Sequence, residues 1–277
     1  MKCAIVYDFD GTLAQGNCAE HGLMDALGID KKEQFWSDVK RLNTENDGDE
    51  ILTYMALLAH RAHGKSLEAL SPLALRAFGA GIPLFEGVKT WFTRINKYAS
   101  ELDIKLEHYI ISSGLEEMIL GSAIGGEFKK IFGCRFETYS DGAQPYWPSQ
   151  VINYTTKTQF LFRINKGILN SWDNDSLNTY VELYRRPIPF ERMVFLGDGD
   201  TDIPSMKMVR HQGGYSIAVF DEDKWDTEVG KDKAQKLISE ERANYVVPAD
   251  YREGSQLDVT LKGVLQLIHR KTSKSKG

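Results

Sequence analysis

The sequence predicts an α/β fold: a three-layer, Rossmann-like core with a mainly parallel sheet, plus an inserted helical subdomain. Short apolar runs recur along the chain, and segments with helical periodicity lie between them. Residues 15–82 differ, because they show little β-branched alternation and several helix-like segments. With 277 residues and 42% hydrophobic composition, the chain can bury a full core beside such an insert.

The predicted strands are apolar on both alternating faces, as expected for strands buried between two layers of helices. Helical periodicity follows Gly87 and Lys157, so helices link the strands and favour a parallel sheet. In such folds ligands bind at the carboxyl ends of the strands, where the polar candidates lie. The runs are AIVYD (4–8), HYIIS (108–112), MVFLG (193–197), YSIAVF (215–220) and NYVV (244–247).

Residues 15–82 are predicted to form a helical cap, and residues 1–14 and 83–277 a Rossmann-like catalytic core. The insert holds the segments EQFWSDVKRLN, EILTYMALLAHRAHG and SLEALSPLALRAFG. It returns through Gly79, Gly81 and Pro83, which suit a hinge or linker better than an element interior. Two interpretations stay open, a lid over a site and an ordinary helical subdomain. The tail RKTSKSKG is expected to be disordered.

Composition excludes several function classes. The net charge of −5 gives no basic field for nucleic acid or an anionic membrane, so small-molecule partners are expected. Cys3, Cys18 and Cys134 are odd in number and widely spaced, which favours reduced, buried thiols. Since neither a signal peptide nor a run of about 18 apolar residues is present, we expect a cytoplasmic location.

The first polar candidate is the pair Asp8 and Asp10 in AIVYDFDGTLA. In an extended strand they point to the same side, and their mutual repulsion calls for a cation. A hard metal such as Mg²⁺ takes oxygen ligands and would let a carboxylate attack phosphorus. The alternative is an Asp-Gly hairpin turn, which is disfavoured because the following residues resemble helix and loop.

The second acidic cluster is VFLGDGDTDIPSM, where Asp198, Asp200 and Asp202 alternate with other residues after an apolar run. A helix is predicted to follow, with Pro204 in its first turn. The remaining ligands of an EF-hand calcium loop are missing. A plain solvated loop stays possible, although a buried strand precedes the cluster.

A serine pair ends the apolar run at residue 112. Ser113 and Glu116 have capping-box spacing, which assigns Ser113 to the N-cap of a helix. Ser112 is then free to donate its hydroxyl to an anion near the helix N-terminus. Serine is also common in such turns without any function.

Lys157 is predicted to lie in the first turn of a helix, because Thr156 and Gln159 form a second possible capping box. The helix dipole disfavours a cation there, and such a break of a local rule is expected where a phosphate or an acidic cluster compensates it. Lys166 precedes the predicted Gly C-cap at the other end and is interpreted as structural.

Taken together, these motifs resemble those of the haloacid dehalogenase superfamily of phosphohydrolases. DFDGT is similar to the first motif, Ser112 to the second, Lys157 to the third and GDGDTD to the fourth, over residues 4 to about 220. The helical insert resembles the small cap of that superfamily, as in phosphoserine phosphatases. The stretches CRFETYSDGAQPYWPSQVINY and 169–190 have no counterpart in the resemblance.

The resemblance implies an aspartyl-phosphate mechanism. Asp8 would be the nucleophile, and Asp10 would protonate the leaving alcohol and then activate the hydrolytic water. Ser112 and Lys157 would hold the phosphoryl oxygens, and Thr12 would support the loop and the phosphate site.

It also implies a metal site. Mg²⁺ would be held by the Asp8 carboxylate, the Asp10 backbone carbonyl and Asp198, with Asp202 close by or linked through Lys157 or water. The substrate would be a small phosphorylated metabolite, bound from the cap side.

Asp10 separates subclasses, because members that displace halide generally lack an Asp there. Its presence favours phosphate esters over haloacids. Within the cap, Glu20 is a candidate for meeting a cationic group of the substrate, although a solvent-facing role is the plainer interpretation. Arg61 and His21 are weaker candidates of the same kind.

Two other classes of protein stay in view. A signalling receiver also clusters Asp, Ser or Thr and Lys around Mg²⁺, but the helical insert and the late GDGDTD cluster oppose it. A scaffold that has lost activity is opposed by the presence of all four polar elements.

Overall fold

The computed structural model describes residues 1–137, 147–199, 201–224 and 228–274. Within them one seven-stranded sheet is flanked by helices. The strands are β1 (Lys2–Tyr7), β2 (Lys105–Leu115), β3 (Lys130–Phe136), β4 (Pro148–Gln150), β5 (Met193–Gly197), β6 (Tyr215–Phe220) and β7 (Tyr245–Pro248). The α-helices are α1 (Leu23–Ala26), α2 (Lys32–Asn46), α3 (Glu50–Lys65), α4 (Pro72–Gly79), α5 (Val88–Glu101), α6 (Glu116–Gly121), α7 (Lys157–Lys166), α8 (Asn174–Asn178), α9 (Ile203–His211), α10 (Glu228–Ser239) and α11 (Gln256–Lys274).

The strand order is β4-β3-β2-β1-β5-β6-β7. Neighbouring strands are parallel, except that β4 is antiparallel to β3 at the edge. The chain moves from β1 through β2 to β3 on one side and later continues at β5 on the other side of β1. This reversal opens a crevice at the carboxyl ends of β2, β1 and β5, the usual ligand position in such sheets. The predicted α/β, Rossmann-like class is confirmed.

All five predicted strands are present, with bounds within a few residues, although β2 runs from Lys105 to Leu115. Two strands were not predicted. The segment KIFGCRF of β3 has Gly133 in its middle and polar residues at both ends, so it lacks a clear apolar run. The edge strand β4 has only three residues, and a proline begins it.

The insert forms α1 to α4 and two short 3₁₀ helices. The predicted segment 66–79 is divided into a 3₁₀ helix, Leu67–Leu70, and α4, because Ser71 caps α4 and Pro72 begins it. The two crossings between insert and core lie side by side, since Gln15 N donates to Pro83 O at 3.0 Å and Phe85 N donates to Leu13 O at 3.0 Å. The division at residues 14/15 and 82/83 stays a prediction.

The sequence predicted Gly79 to be a hinge or linker residue, and this is wrong. Gly79 is the last residue of α4. It lies against α6, and a Cβ on Gly79 would be 2.0 Å from the carbonyl oxygen of Met118. Conversely, a Cβ on Gly121 would be 2.0 Å from the carbonyl oxygen of Arg76. Helix α4 of the insert and helix α6 of the core are therefore in backbone contact, which only glycine permits.

Gly121→Ala is expected to destabilise the protein by about 2–3 kcal/mol, because the new methyl group forces α4 and α6 apart. Gly64→Ala is the matched control: nothing lies within 4 Å of the added Cβ, and alanine should raise helix stability by up to about 1 kcal/mol. Urea denaturation of both variants measures the difference. Equal stability of Gly121→Ala and wild type would contradict the close contact.

The C-terminal tail was predicted to be disordered from Arg270, and this is wrong for residues 270–274. Helix α11 continues to Lys274, and Lys271 Nζ donates to the Tyr215 hydroxyl at 2.8 Å. The apolar side of α11, which includes the buried Leu261 and Leu265, holds the helix to the core. Residues 275–277 lie outside the described part of the chain.

Two further expectations concern the thiols and the membrane. Cys3, Cys18 and Cys134 are buried and free, as predicted. Among the helices described, none combines the length and the apolarity that crossing a membrane requires.

Candidate active site

Three neighbouring strands bring the first polar side chains together. Asp8 directly follows β1 and Asp198 directly follows β5. These strands are paired so that Tyr7 lies opposite Leu196, and Asp8 N donates to Leu196 O at 2.9 Å. On the other side of β1, Tyr7 lies opposite Ile110, so Ser112 is two residues further along β2. The parallel register therefore places all three at the same edge of the sheet.

Lys157 lies at the centre of this group. It is the first residue of α7 and its side chain is fully buried. The ammonium nitrogen is 2.7 Å from Asp202 Oδ1 and 3.0 Å from Asp8 Oδ2, and it donates to Thr201 Oγ1 at 2.8 Å. The two carboxylates raise the pKa of Lys157 although burial lowers it. The unfavourable cation in the first helical turn is thus compensated as the sequence indicated.

Asp202 is fully buried before α9, and Pro204 lies in the first turn of that helix as predicted. Burial and the charge of Asp8 raise the pKa of Asp202, and Lys157 opposes this. The second carboxylate oxygen, Oδ2, is buried and has no hydrogen-bond partner among the described residues. A buried carboxylate oxygen without a hydrogen-bond partner is suited to bind a cation.

A metal ion fits between three of the aspartates. Asp8, Asp198 and Asp202 each offer one carboxylate oxygen, and these atoms lie within 4.8 Å of one another. The donor set consists of oxygen atoms, which a hard divalent cation prefers. These three carboxylates lie beside one buried lysine, Lys157, so a divalent cation would balance the charge. Asp200 of the same loop lies outside the described residues.

Asp10 lies beside Asp8, and its Oδ1 accepts a hydrogen bond from Cys18 N at 2.9 Å. Desolvation and the charge of Asp8 raise the pKa of Asp10 to about 7. The turn after it needs Gly11, which has φ +69° and where a Cβ would be 3.0 Å from Asp198 Oδ2. Asp10 and Gly11 therefore form a tight turn that packs against Asp198, and not the hairpin turn considered above.

Ser112 is buried and its Oγ accepts a hydrogen bond from Gly114 N at 3.1 Å. The capping box assigned to Ser113 and Glu116 is wrong. Strand β2 continues to Leu115, which pairs with Cys134, so Ser113 keeps a strand position and α6 begins without a side-chain cap. The Glu116 carboxylate instead accepts from Gly133 N at 3.3 Å. Ser113 Oγ is buried and unpartnered among the described residues.

The second predicted capping box, Thr156 with Gln159, is also wrong, because the reciprocal hydrogen bonds join Asn153 and Thr156 instead. Asn153 Oδ1 accepts from Thr156 N at 3.1 Å, and Thr156 Oγ1 accepts from Asn153 N at 2.8 Å. Thr156 has helical backbone angles, and its side chain caps none of the first N–H groups of α7. Lys157 still lies in the first turn, and Gly167 is the left-handed C-cap after Lys166. Lys166 donates to Leu177 O and Thr179 O, which supports a structural role.

A cavity of about 230 Å³ opens between this edge of the sheet and the insert. It connects the aspartates with side chains of α2, α3 and the loop before α7. Several of these residues gave no signal in the sequence, because they lie on helices or in a loop and become neighbours only in the fold. The lining residues are Asp8, Asp10, Asn17, Trp36, Glu50, Ile51, Tyr54, Ser112, Ser113, Gly114, Tyr154, Asp198 and Thr201.

The remaining candidates lie outside this lining. Glu20 lies beside Trp36, whose Nε1 donates to Glu20 Oε1 at 2.7 Å. Thr12 is fully buried, and its Oγ1 has no hydrogen-bond partner among the described residues. Arg61 is exposed on α3, and His21 Nε2 lies 3.3 Å from Gln15 O. Their predicted roles stay predictions.

Comparison with known proteins gives three findings. No protein-family model matches the chain. An uncharacterised protein of Borreliella burgdorferi is 29% identical over 92% of this chain and 93% of its own length. Among solved structures, a HAD-family hydrolase of Salmonella enterica serovar Typhi is 16% identical, covers 94% of this chain and 69% of its own, and superimposes with a TM-score of 0.58.

A third similar protein is a substrate-bound phosphoserine phosphatase, 16% identical, with 95% of this chain and 98% of its own covered and a TM-score of 0.54. At these identities the likeness concerns the fold. It agrees with the seven-stranded, mostly parallel sheet described above. The chain therefore has the fold of the haloacid dehalogenase (HAD) family of hydrolases.

Proposed function

We propose that this protein is a Mg²⁺-dependent phosphatase that hydrolyses a small phosphorylated metabolite through an aspartyl-phosphate intermediate. The supporting observation is the convergence of four sequence-distant motifs on one cavity edge. Lys157 contacts both Asp8 and Asp202, while Asp10 and Ser112 line the same cavity. The similar solved structures include a phosphoserine phosphatase, which agrees with this chemistry.

In the first half-reaction the Asp8 carboxylate attacks phosphorus in line with the ester oxygen, and the P–O bond to the alcohol breaks. Asp10 donates its proton to the leaving oxygen. Lys157 and Ser112 bind the phosphoryl oxygens as charge spreads over them. Asp8, Asp198 and Asp202 would hold Mg²⁺, which neutralises carboxylate and phosphoryl charge when bound.

In the second half-reaction a water molecule attacks phosphorus of the aspartyl-phosphate, and Asp10 takes its proton. The bond between Asp8 and phosphorus breaks, inorganic phosphate leaves, and the Asp8 carboxylate is regenerated. Asp10 thus gives one proton to the leaving alcohol and recovers another from the attacking water. The insert covers the cavity, so we assign substrate selection to it; the cytoplasmic location stays a prediction.

The protein is expected to hydrolyse p-nitrophenyl phosphate in the presence of Mg²⁺. EDTA should abolish turnover and excess Mg²⁺ should restore it, because the buried Asp8 and Asp202 and the half-buried Asp198 lose their counter-ion. Release of p-nitrophenolate measures the rate. A receiver would instead be labelled once by acetyl phosphate without turnover, and EDTA-resistant hydrolysis would exclude the metal-dependent mechanism.

A further inference from the structure

We infer that the substrate of this site is the phosphomonoester of a short alcohol that bears an alkylated ammonium group. This inference rests on the proposed function and concerns the part of the cavity away from the aspartates. There the insert and the loop before α7 supply aromatic rings and carboxylate charge.

Three aromatic side chains from separate parts of the chain line this part of the cavity: Trp36, Tyr54 and Tyr154. The rings of Trp36 and Tyr54 are 5.7 Å apart and tilted by 46°. Tyr154 joins them from the loop before α7, and its hydroxyl donates to Glu50 Oε2 at 3.2 Å. Aromatic faces attract cations through the ring quadrupole, and tryptophan does so most strongly.

The charged side chain that lines this part of the cavity, Glu50, is negative. Glu20 lies outside the lining, where its carboxylate accepts the indole N–H of Trp36 and its backbone carbonyl accepts from Lys32 Nζ. In the described ranges, no lysine, arginine or histidine lines the cavity. Lys157, the buried cation nearby, contacts Asp8 and Asp202. A carboxylate on the substrate, such as that of an amino acid, would therefore meet like charge without a basic partner.

The size of the cavity sets the length of the substrate. Its volume of about 230 Å³ is smaller than that of typical pockets for drug-sized ligands. The phosphoryl group takes the end beside Asp8 and Ser112, which leaves room for a short ammonium chain. A quaternary, methylated ammonium is attracted by aromatic faces and needs no hydrogen-bond acceptor, so it fits a cavity end lined by three rings.

The test compares kcat/KM for three substrates of the full-length protein with Mg²⁺. Phosphocholine has the quaternary ammonium, and 3,3-dimethylbutyl phosphate has the same shape without the positive charge. Phosphoserine has a primary ammonium and a carboxylate. Phosphocholine is expected to exceed each of the others by roughly tenfold or more. Equal rates for phosphocholine and its neutral isostere, or faster hydrolysis of phosphoserine, would overturn the inference.

Substitutions in the cavity test which side chains cause the preference for phosphocholine. The ratio of phosphocholine to 3,3-dimethylbutyl phosphate should fall several-fold in Glu50→Gln and approach one in Trp36→Leu. Glu33→Gln, an exposed position on α2, should keep the wild-type ratio. Because each ratio is measured within one variant, partial misfolding cancels; an unchanged ratio in both cavity variants would overturn the inference.

Measuring p-nitrophenyl phosphate beside the three substrates separates this inference from the function on which it rests. If p-nitrophenyl phosphate is hydrolysed but phosphocholine has no advantage, only the inference fails. If p-nitrophenyl phosphate and all three substrates are inert, the proposed function fails together with it.

Discussion

Asp8→Asn is expected to lower kcat/KM for p-nitrophenyl phosphate by roughly 10⁴-fold or more, since an amide cannot attack phosphorus. The variant is isosteric, and its side-chain oxygen can still accept the hydrogen bond from Phe9 N. Asp30→Asn, at an exposed position between α1 and α2, is the control and should retain full activity. Substantial turnover by Asp8→Asn would exclude this residue as the nucleophile.

The stability of Asp8→Asn distinguishes loss of chemistry from loss of fold. Lys157 keeps its contact with Asp202 in the variant, and one of four neighbouring carboxylates is removed. Less repulsion offsets the lost ion pair, so the free energy of unfolding without Mg²⁺ should change by no more than about 1 kcal/mol. A large decrease measured by urea denaturation would assign Asp8 a structural role as well.

Lys157→Met is expected to remove both activity and stability. The buried ammonium neutralises Asp8 and Asp202, and leaving such carboxylates without it costs about 3–5 kcal/mol. Activity should fall by roughly 10³-fold or more, because the phosphoryl oxygens lose their cation. Urea denaturation and p-nitrophenyl phosphate kinetics measure the two effects.

Two further variants control this prediction. Lys166→Met, at the other end of α7, removes hydrogen bonds to Leu177 O and Thr179 O, so it should lower stability slightly and keep activity. Lys157→Met combined with Asp202→Asn removes one uncompensated charge, so it should recover part of the stability and none of the activity. Wild-type stability of Lys157→Met alone would contradict the buried ion pairs.

The core strands were predictable because each is a continuous apolar run buried between helices, as MVFLG shows in β5. The motif residues were predictable for a related reason. Asp8 and Asp198 directly follow such runs, and parallel strands bring their carboxyl ends to one edge. Lys157 was detectable as a cation at an unfavourable helical position, which two aspartates compensate.

Predictions from the local spacing of residues were wrong where long-range contacts determine the backbone conformation. Ser113 has capping-box spacing, yet pairing of Leu115 with Cys134 extends β2 beyond it. Gly79 resembled a linker because contact with α6 is invisible in the sequence. The cavity residues Trp36 and Tyr154 gave no signal either, since they are distant in sequence and become neighbours only when the insert packs over the core.

The aspartyl-phosphate is tested most directly with Asp10→Asn and 2,4-dinitrophenyl phosphate. This leaving group needs no proton, so phosphoryl transfer to Asp8 should proceed, while hydrolysis lacks its base and the intermediate should accumulate. After an acid quench, mass spectrometry should find one added phosphoryl group on the peptide that contains Asp8. A phosphoryl group on another residue, or continued turnover with an unmodified Asp8 peptide, would contradict the mechanism.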